Sequence, residues 1–274
     1  MSDWALGVGG FRPFVAGDIA ANDRGFLLGD GVFETVRFGK DGFVHSDLHE
    51  ERLNKACTAF DLPMPDWNAV ERAAMTAVSQ AVGIARLTIS RGSGPRGLGV
   101  IENPTPRVCL TVSGAQARPE TLSLKTVSIR RSPSSPAARF KTLSYGDNSA
   151  ARRDAVKTGA EMALLLTSDG HVSGGDCANV FAIQGDELLT PSLDCAIRPG
   201  VTREIVLCLV REMGLSVQEG QFTLEQFIGA DTIFVTNTAM GVAPVASLDG
   251  RVIDTTHAGL EAIRQAEARA SIRG

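Results

Sequence analysis

Lys141-Thr142-Leu143-Ser144-Tyr145 is the stretch from which the rest of the chain is best read. It follows a Ser- and Pro-rich loop, residues 132–136, and leads into a helical pattern that begins near Tyr145. Lys141 is the only lysine between Lys125 and Lys157. A lysine held where a loop meets packed structure can attack carbonyl groups when its surroundings favour the neutral amine. A single lysine is by default a solvated surface cation, so its meaning depends on the company it keeps.

Composition sets the frame. The chain has 274 residues, 43% hydrophobic and 21% charged, with a formal net charge of −4. This is ordinary globular composition, enough for one large or two modest domains. No basic block is present, which argues against nucleic acid as a partner. No apolar run approaches the roughly 20 residues of a membrane crossing. The first residues lack the basic segment and apolar core of a secretion signal. Five cysteines with wide spacings and no CxxC pair fit neither a disulfide framework nor zinc, and a cytoplasmic setting is expected. Four scattered histidines give no metal pattern.

Working outward from Lys141, the pattern is α+β. Residues 32–38 and 43–44 flank Lys40-Asp41-Gly42, a hairpin signal. Asp47 with Glu50 three residues on resembles a capping box. The helix after it carries Leu53, Ala56 and Phe60 on one face, and a second helix is expected over residues 66–82. Strands fit residues 86–90 and 107–112. The polar segment ending in Pro119 marks a boundary. We expect a small domain over residues 1–115, a linker over 116–120 and a larger domain over 121–274. In the second part, strands fit residues 122–129, 162–166, 179–183, 187–190 and 232–236. Helices fit residues 145–158 and 202–213, the latter stopped by Gly214, and a last helix begins near Thr256.

Four motifs could carry chemistry. Pro199-Gly200-Val201-Thr202-Arg203 opens a helix after a loop. Its first-turn N–H groups and the Thr202 hydroxyl make either an anion site or an ordinary capped helix. Thr236-Asn237-Thr238 follows a strand and could add donors, and Arg52 could add positive charge or sit in a helix salt bridge. Arg91-Gly92-Ser93-Gly94-Pro95-Arg96-Gly97 is a glycine-rich loop between two arginines. It suits a carboxylate, or is a plain polar hairpin loop, and it is not a nucleotide P-loop. Gly29-Asp30-Gly31 allows a tight turn and close backbone approach.

These pieces occur in an order that resembles the class IV aminotransferases, the fold-type IV pyridoxal phosphate (PLP) enzymes, which include branched-chain and D-amino-acid aminotransferases and aminodeoxychorismate lyase. The resemblance runs from about Asp23 to Val245. It rests on the run from Asp23-Arg24-Gly25-Phe26 to Val32-Phe33-Glu34, on His49-Glu50-Glu51-Arg52-Leu53, on Lys141, on Asn179-Val180-Phe181, and on the turns beginning at Pro199 and Thr236. It implies a small N-terminal α/β domain and a larger C-terminal domain with a β-barrel-like mixed sheet and flanking helices. It implies PLP held by Lys141 as a Schiff base, with Lys141 then moving the substrate Cα proton. Arg52, the N–H groups of Val201 and Thr202, and Thr238 would bind the phosphate. Phe33, Arg96, Ala239 and Met240 would line the substrate site, with Arg96 facing the substrate carboxylate across a homodimer interface.

Two positions depart from the family pattern. The run Val172-Ser173-Gly174-Gly175-Asp176 places Gly174 where the family carries a glutamate that pairs with the pyridine nitrogen. Asp176 is the candidate replacement, with water or a less electron-withdrawing ring as the alternatives. Arg198 stands where a leucine near the cofactor is usual. Within the family, Phe33, the loop from Ser90 to Gly97 and Asn237-Thr238-Ala239-Met240-Gly241 lean toward the lyase, with 4-aminobenzoate and pyruvate as products. The alternative is a transaminase passing the amino group of a D- or branched-chain amino acid to a 2-oxo acid.

Overall fold

The computed structural model describes residues 1–7, 10–77 and 82–273. The chain forms two compact units, Met1–Gln116 with Phe140–Tyr145, and Ala117–Arg139 with Gly146–Arg273.

In the first unit, β1 (Ser2–Gly7), β2 (Gly10–Pro13), β3 (Gly31–Gly39), β4 (Gly42–Phe43), β5 (Gly83–Ser90) and β6 (Arg107–Gly114) form one antiparallel sheet. Its order is β2-β1-β6-β5-β3-β4. Alternation decides its two faces. Val32, Val36 and Phe38 of β3, Ala85, Leu87 and Ile89 of β5, and Val108, Leu110 and Val112 of β6 share a buried cluster. Leu53 and Ala56 of α2 (Ser46–Ala59) and Val70 and Ala74 of α3 (Trp67–Ala77) close it. The other face carries Phe33, Thr35, Arg86 and Thr88, and a short helix, α1 (Arg24–Leu28), precedes β3.

Two expectations change here. Asp47 is not the cap of α2. The helix begins two residues earlier than that cap implies, its N-cap is His45 in a left-handed conformation, and no side chain caps it. Asp47 instead lies in the first turn, where a carboxylate favours the helix dipole. The second helix ends at Ala77 in the described residues, and the expected extension over 78–81 lies outside them.

The second unit is built on a nine-stranded mixed sheet. Its strands are β7 (Leu122–Arg131), β8 (Met162–Thr167), β9 (Val172–Gly175), β10 (Asn179–Gln184), β11 (Glu187–Pro191), β12 (Ser216–Gly220), β13 (Thr232–Asn237), β14 (Gly241–Leu248) and β15 (Arg251–Val252). The order runs β12-β11-β10-β13-β14-β7-β8-β9, with β15 beside β14. The sheet curls, bringing β9 back against β10 and β11. β8 pairs in parallel with β7 and antiparallel with β9, and all six of its residues are buried, as an uninterrupted apolar run in a covered strand requires.

Its helices are α4 (Pro136–Arg139), α5 (Gly146–Lys157), α6 (Val201–Glu212), α7 (Leu224–Ile228) and α8 (Ala258–Arg273); α5, α6 and α8 cover one face of the strands, and Phe227 of α7 packs with the cluster on the other. Val206, Leu207 and Val210 of α6 and Leu260 and Ile263 of α8 pack on Phe181 and Phe234. The two rings stack with centroids 4.9 Å apart, an arrangement worth about 1 kcal/mol beyond its buried area. As expected, α6 stops at Gly214, whose φ of 75° only glycine adopts without strain. Among the described residues no helix is long and apolar enough to cross a membrane, and no acidic, His or Cys cluster is arranged to hold a metal.

Candidate active site

Lys141 is held by backbone pairing. The Phe33 amide donates to the Lys141 carbonyl at 2.8 Å and the Leu143 amide to the Gly31 carbonyl at 2.9 Å, so residues 141–143 lie along β3 as an extra antiparallel segment. Gly31 makes this approach possible. A Cβ there would stand 2.4 Å from the Ile89 carbonyl and 2.7 Å from the Leu143 side chain. Gly29, at φ 68°, likewise leaves room for Ser144. The glycines flanking Asp30 are therefore what seats the lysine segment.

The Lys141 Nζ lies 4.1 Å from the centroid of the Phe33 ring. The Arg86 guanidinium lies 3.6 Å from the same centroid, and Tyr145 meets the ring edge-on at 5.1 Å. Cation–π contacts of this kind contribute about 0.5–2 kcal/mol each. Burial pulls the Arg86 pKa down, with partial compensation from Tyr145. Arg86 was not among the candidates read from the sequence. It pairs across from Thr35, diagonal to Phe33, in a strand whose other face is apolar. Its exposure to Phe33 depends on the register between β3 and β5, two strands separated by α2 and α3.

Arg52 lies on the opposite face of β3. Its Nε donates to Glu34 at 2.9 Å and its Nη2 at 2.6 Å, and His49 Nδ1 is 3.2 Å from the same carboxylate. Glu34 is 1% exposed. Burial pushes its pKa up, but the charge of Arg52 and the hydrogen bonds from His49 and Arg52 outweigh it, and the carboxyl is held well below the usual range. Burial, in turn, keeps His49 below its ordinary value. The guanidinium of Arg52 is thus oriented by a buried acid.

The two arginines of the glycine-rich loop part company. Arg91 donates its Nε to both oxygens of Asp30 and its Nη2 to the Phe60 carbonyl at 2.7 Å. Asp30 also accepts from Arg24 Nε. Arg91 therefore fastens the loop, whereas Arg96 is exposed at its tip.

The second unit holds the other candidates. Helix α6 begins at Val201 after Gly200, and no side chain caps it. Thr202 is 8% exposed. A Cβ at Gly200 would stand 2.1 Å from Asn179 Oδ1, and Asn179 Nδ2 donates to the Arg198 carbonyl at 3.1 Å. Asn179 pairs across strands with Thr236, whose buried hydroxyl has no hydrogen-bond partner among the described residues. In the turn after β13, Asn237 Oδ1 accepts from the amides of Ala239 and Met240 at 3.0 and 2.8 Å. Its Nδ2 donates to the Cys177 carbonyl at 3.3 Å. Ala239 is exposed, and Thr238 and Met240 are partly buried. An uncapped helix start and an unsatisfied buried hydroxyl fit a phosphate group.

Asp176 is 3% exposed, and both its oxygens are taken by Arg152, at 2.7 Å from Nε and 2.5 Å from Nη2. One oxygen also accepts from the Ala163 amide at 2.8 Å. The structure thus brings Lys141 and Phe33 together in the first unit. In the second it brings Val201 and Thr202 beside Asn179, and Thr238, Ala239 and Met240 onto one turn.

Residues 31–248 match the amino-transferase class IV family. The chain is 32% identical over 251 residues to a Methanocaldococcus jannaschii protein provisionally assigned as a branched-chain-amino-acid aminotransferase, covering 88% of this chain and 86% of that one. It is 30% identical to the aminodeoxychorismate lyase of Bacillus subtilis, covering 83% and 80%. A hypothetical aminotransferase from Mycobacterium tuberculosis, determined with PLP bound, superposes with a TM-score of 0.86 at 25% identity, covering 100% and 99%. The chain belongs to the class IV aminotransferases and has their fold-type IV architecture. It is accordingly a PLP-dependent enzyme.

Proposed function

We propose that Lys141 binds PLP and that the enzyme acts on an amine carried near a carboxylate, with 4-amino-4-deoxychorismate as the preferred substrate. PLP, when bound, supplies a ring that withdraws electrons released as a proton leaves the carbon bearing the substrate nitrogen. Lys141 Nζ is the base that takes this proton and the acid that returns one. The amides of Val201 and Thr202, the Thr202 hydroxyl, Thr238 and the guanidinium of Arg52 hold the phosphate. Phe33, Ala239 and Met240 shape the substrate site. Arg86 offers a cation beside Lys141 for an anionic substrate group, and Arg96 serves a second copy of the chain in a homodimer.

The observation that carries the reading is the seating of Lys141 on β3 against Phe33 and Arg86. The lyase assignment draws on the Asn237-to-Met240 turn and on the similarity to the Bacillus subtilis lyase. In that reaction the proton leaves the carbon carrying nitrogen and the C–O bond to the enolpyruvyl group breaks. The six-membered ring becomes 4-aminobenzoate, and the released enolate takes up a proton to give pyruvate. The second reading is a transaminase, favoured by the Methanocaldococcus jannaschii relative.

One experiment separates them. Purified holoenzyme is given aminodeoxychorismate, and separately D-alanine or L-leucine with 2-oxoglutarate. Formation of 4-aminobenzoate with equimolar pyruvate supports the lyase. A new 2-oxo acid from the amino acids, with no 4-aminobenzoate, assigns the transaminase. Borohydride reduction followed by peptide mapping is expected to label Lys141, and label elsewhere would refute its role.

A further inference from the structure

The phosphate end of PLP finds a fitting set of donors in this chain, but the pyridine end does not find the acid it would be expected to meet. The resemblance to the class IV pattern puts Val172-Ser173-Gly174-Gly175-Asp176 at that end. Gly174 has no side chain to offer. Asp176 is engaged on both oxygens by Arg152 and on one by the Ala163 amide. What stands against Gly174 is a cation. Arg131, the last residue of β7, reaches past β8 to β9, where its Nη2 donates to the Gly175 carbonyl at 2.9 Å and its Nη1 to Ser173 Oγ at 3.4 Å. A Cβ at position 174 would lie 3.5 Å from Arg131 Nη1 and 3.0 Å from the Ala178 carbonyl. A side chain at 174 would press on the Ala178 carbonyl, and the group that stands beside this position is the Arg131 guanidinium.

We propose that Arg131, beside Gly174, faces the pyridine nitrogen of bound PLP and keeps that nitrogen unprotonated at neutral pH. The inference rests on the PLP site described above. The charged groups bordering the segment are Arg131 from β7 and Arg152 paired with Asp176. Two guanidinium groups stand against one carboxylate, and a proton added to the ring nitrogen meets like charge. An unprotonated ring withdraws electrons more weakly. It suits a substrate whose own bond changes supply the driving force, such as loss of an enol ether with formation of an aromatic ring. It suits less well a substrate that relies on the cofactor alone.

The test uses holoenzyme reconstituted with PLP labelled with nitrogen-15 in the ring. The ring-nitrogen shift is followed from mildly acidic to mildly alkaline pH. The wild-type signal is expected to stay in the range of an unprotonated pyridine throughout. In Arg131→Met the titration should move upward by about 1–3 pH units, and Arg131→Lys should restore the wild-type position. A protonated signal in the wild type, or an unmoved titration in Arg131→Met, overturns the proposal. The wild-type titration decides the matter even if the methionine variant does not fold. Failure of the PLP reading itself has a separate signature, a chain that retains no label and no borohydride adduct at Lys141, and that result refutes both.

Discussion

Glu34 and Arg52 show how a single buried acid can orient a guanidinium. The carboxylate is sealed under α2 and its charge survives only because Arg52 and His49 hold it. Replacing it by a neutral amide leaves a guanidinium in a dry setting, and breaking such a pair costs about 3–5 kcal/mol. Glu34→Gln is therefore expected to lose stability of that order in urea unfolding at neutral pH. The pH dependence has a definite sign. The folded pKa of Glu34 lies below its ordinary 4.5, so its contribution is fully present above that value and is lost as pH falls through the folded pKa. The gap between wild type and variant should shrink below pH 4.5. A gap that stays constant down to strongly acid pH would show that Glu34 acts through shape alone. Glu34 and Phe33, adjacent in sequence, serve opposite faces of β3, one orienting Arg52 and the other meeting Lys141 and Arg86.

At the scale of elements, the edge of β3 is where the Lys141 segment is attached, and Gly31 is the condition for it. Gly31→Ala would drive a methyl into the Ile89 carbonyl, a backbone atom that cannot swing aside. Overpacking of this kind costs about 1–3 kcal/mol. The same change should disturb the Lys141 segment through its bond to the Gly31 carbonyl, so the variant is expected to bind PLP more weakly as well as unfold more easily. A fully native PLP absorption band and affinity in this variant would sink the argument. In the second unit the corresponding elements are the start of α6 and the turn after β13. Asn179 and Asn237 hold these two turns through bonds to the Arg198 and Cys177 carbonyls. The strands that were read, such as β3, β8 and β13, and the Gly214 stop were legible because each is written in a local pattern or a terminating residue, whereas β1, β2, β9, β12, β14 and β15 were not read. The true start of α2 was not, because the left-handed His45 that begins it is set by the β4 hairpin before it rather than by a capping side chain.

For the whole molecule, binding is coupled to stability. A ligand that binds only the folded chain stabilises it by about 2.7 kcal/mol at one hundred times its dissociation constant. The thermal midpoint should therefore rise with PLP concentration, and less so in Thr202→Ala if the start of α6 holds the phosphate. An equal rise in both proteins would remove Thr202 from the cradle. The sequence alone determined the α+β class, the order of the family motifs and the place of Lys141. Those features are carried by periodicity and by residues with fixed spacing along the chain. Only the tertiary structure decided that Arg86 meets Phe33, that Asp176 belongs to Arg152 and that Arg131 covers Gly174. These contacts join strands and helices far apart in sequence, so they depend on register and on the curl of a sheet, and neither is encoded in any one local stretch.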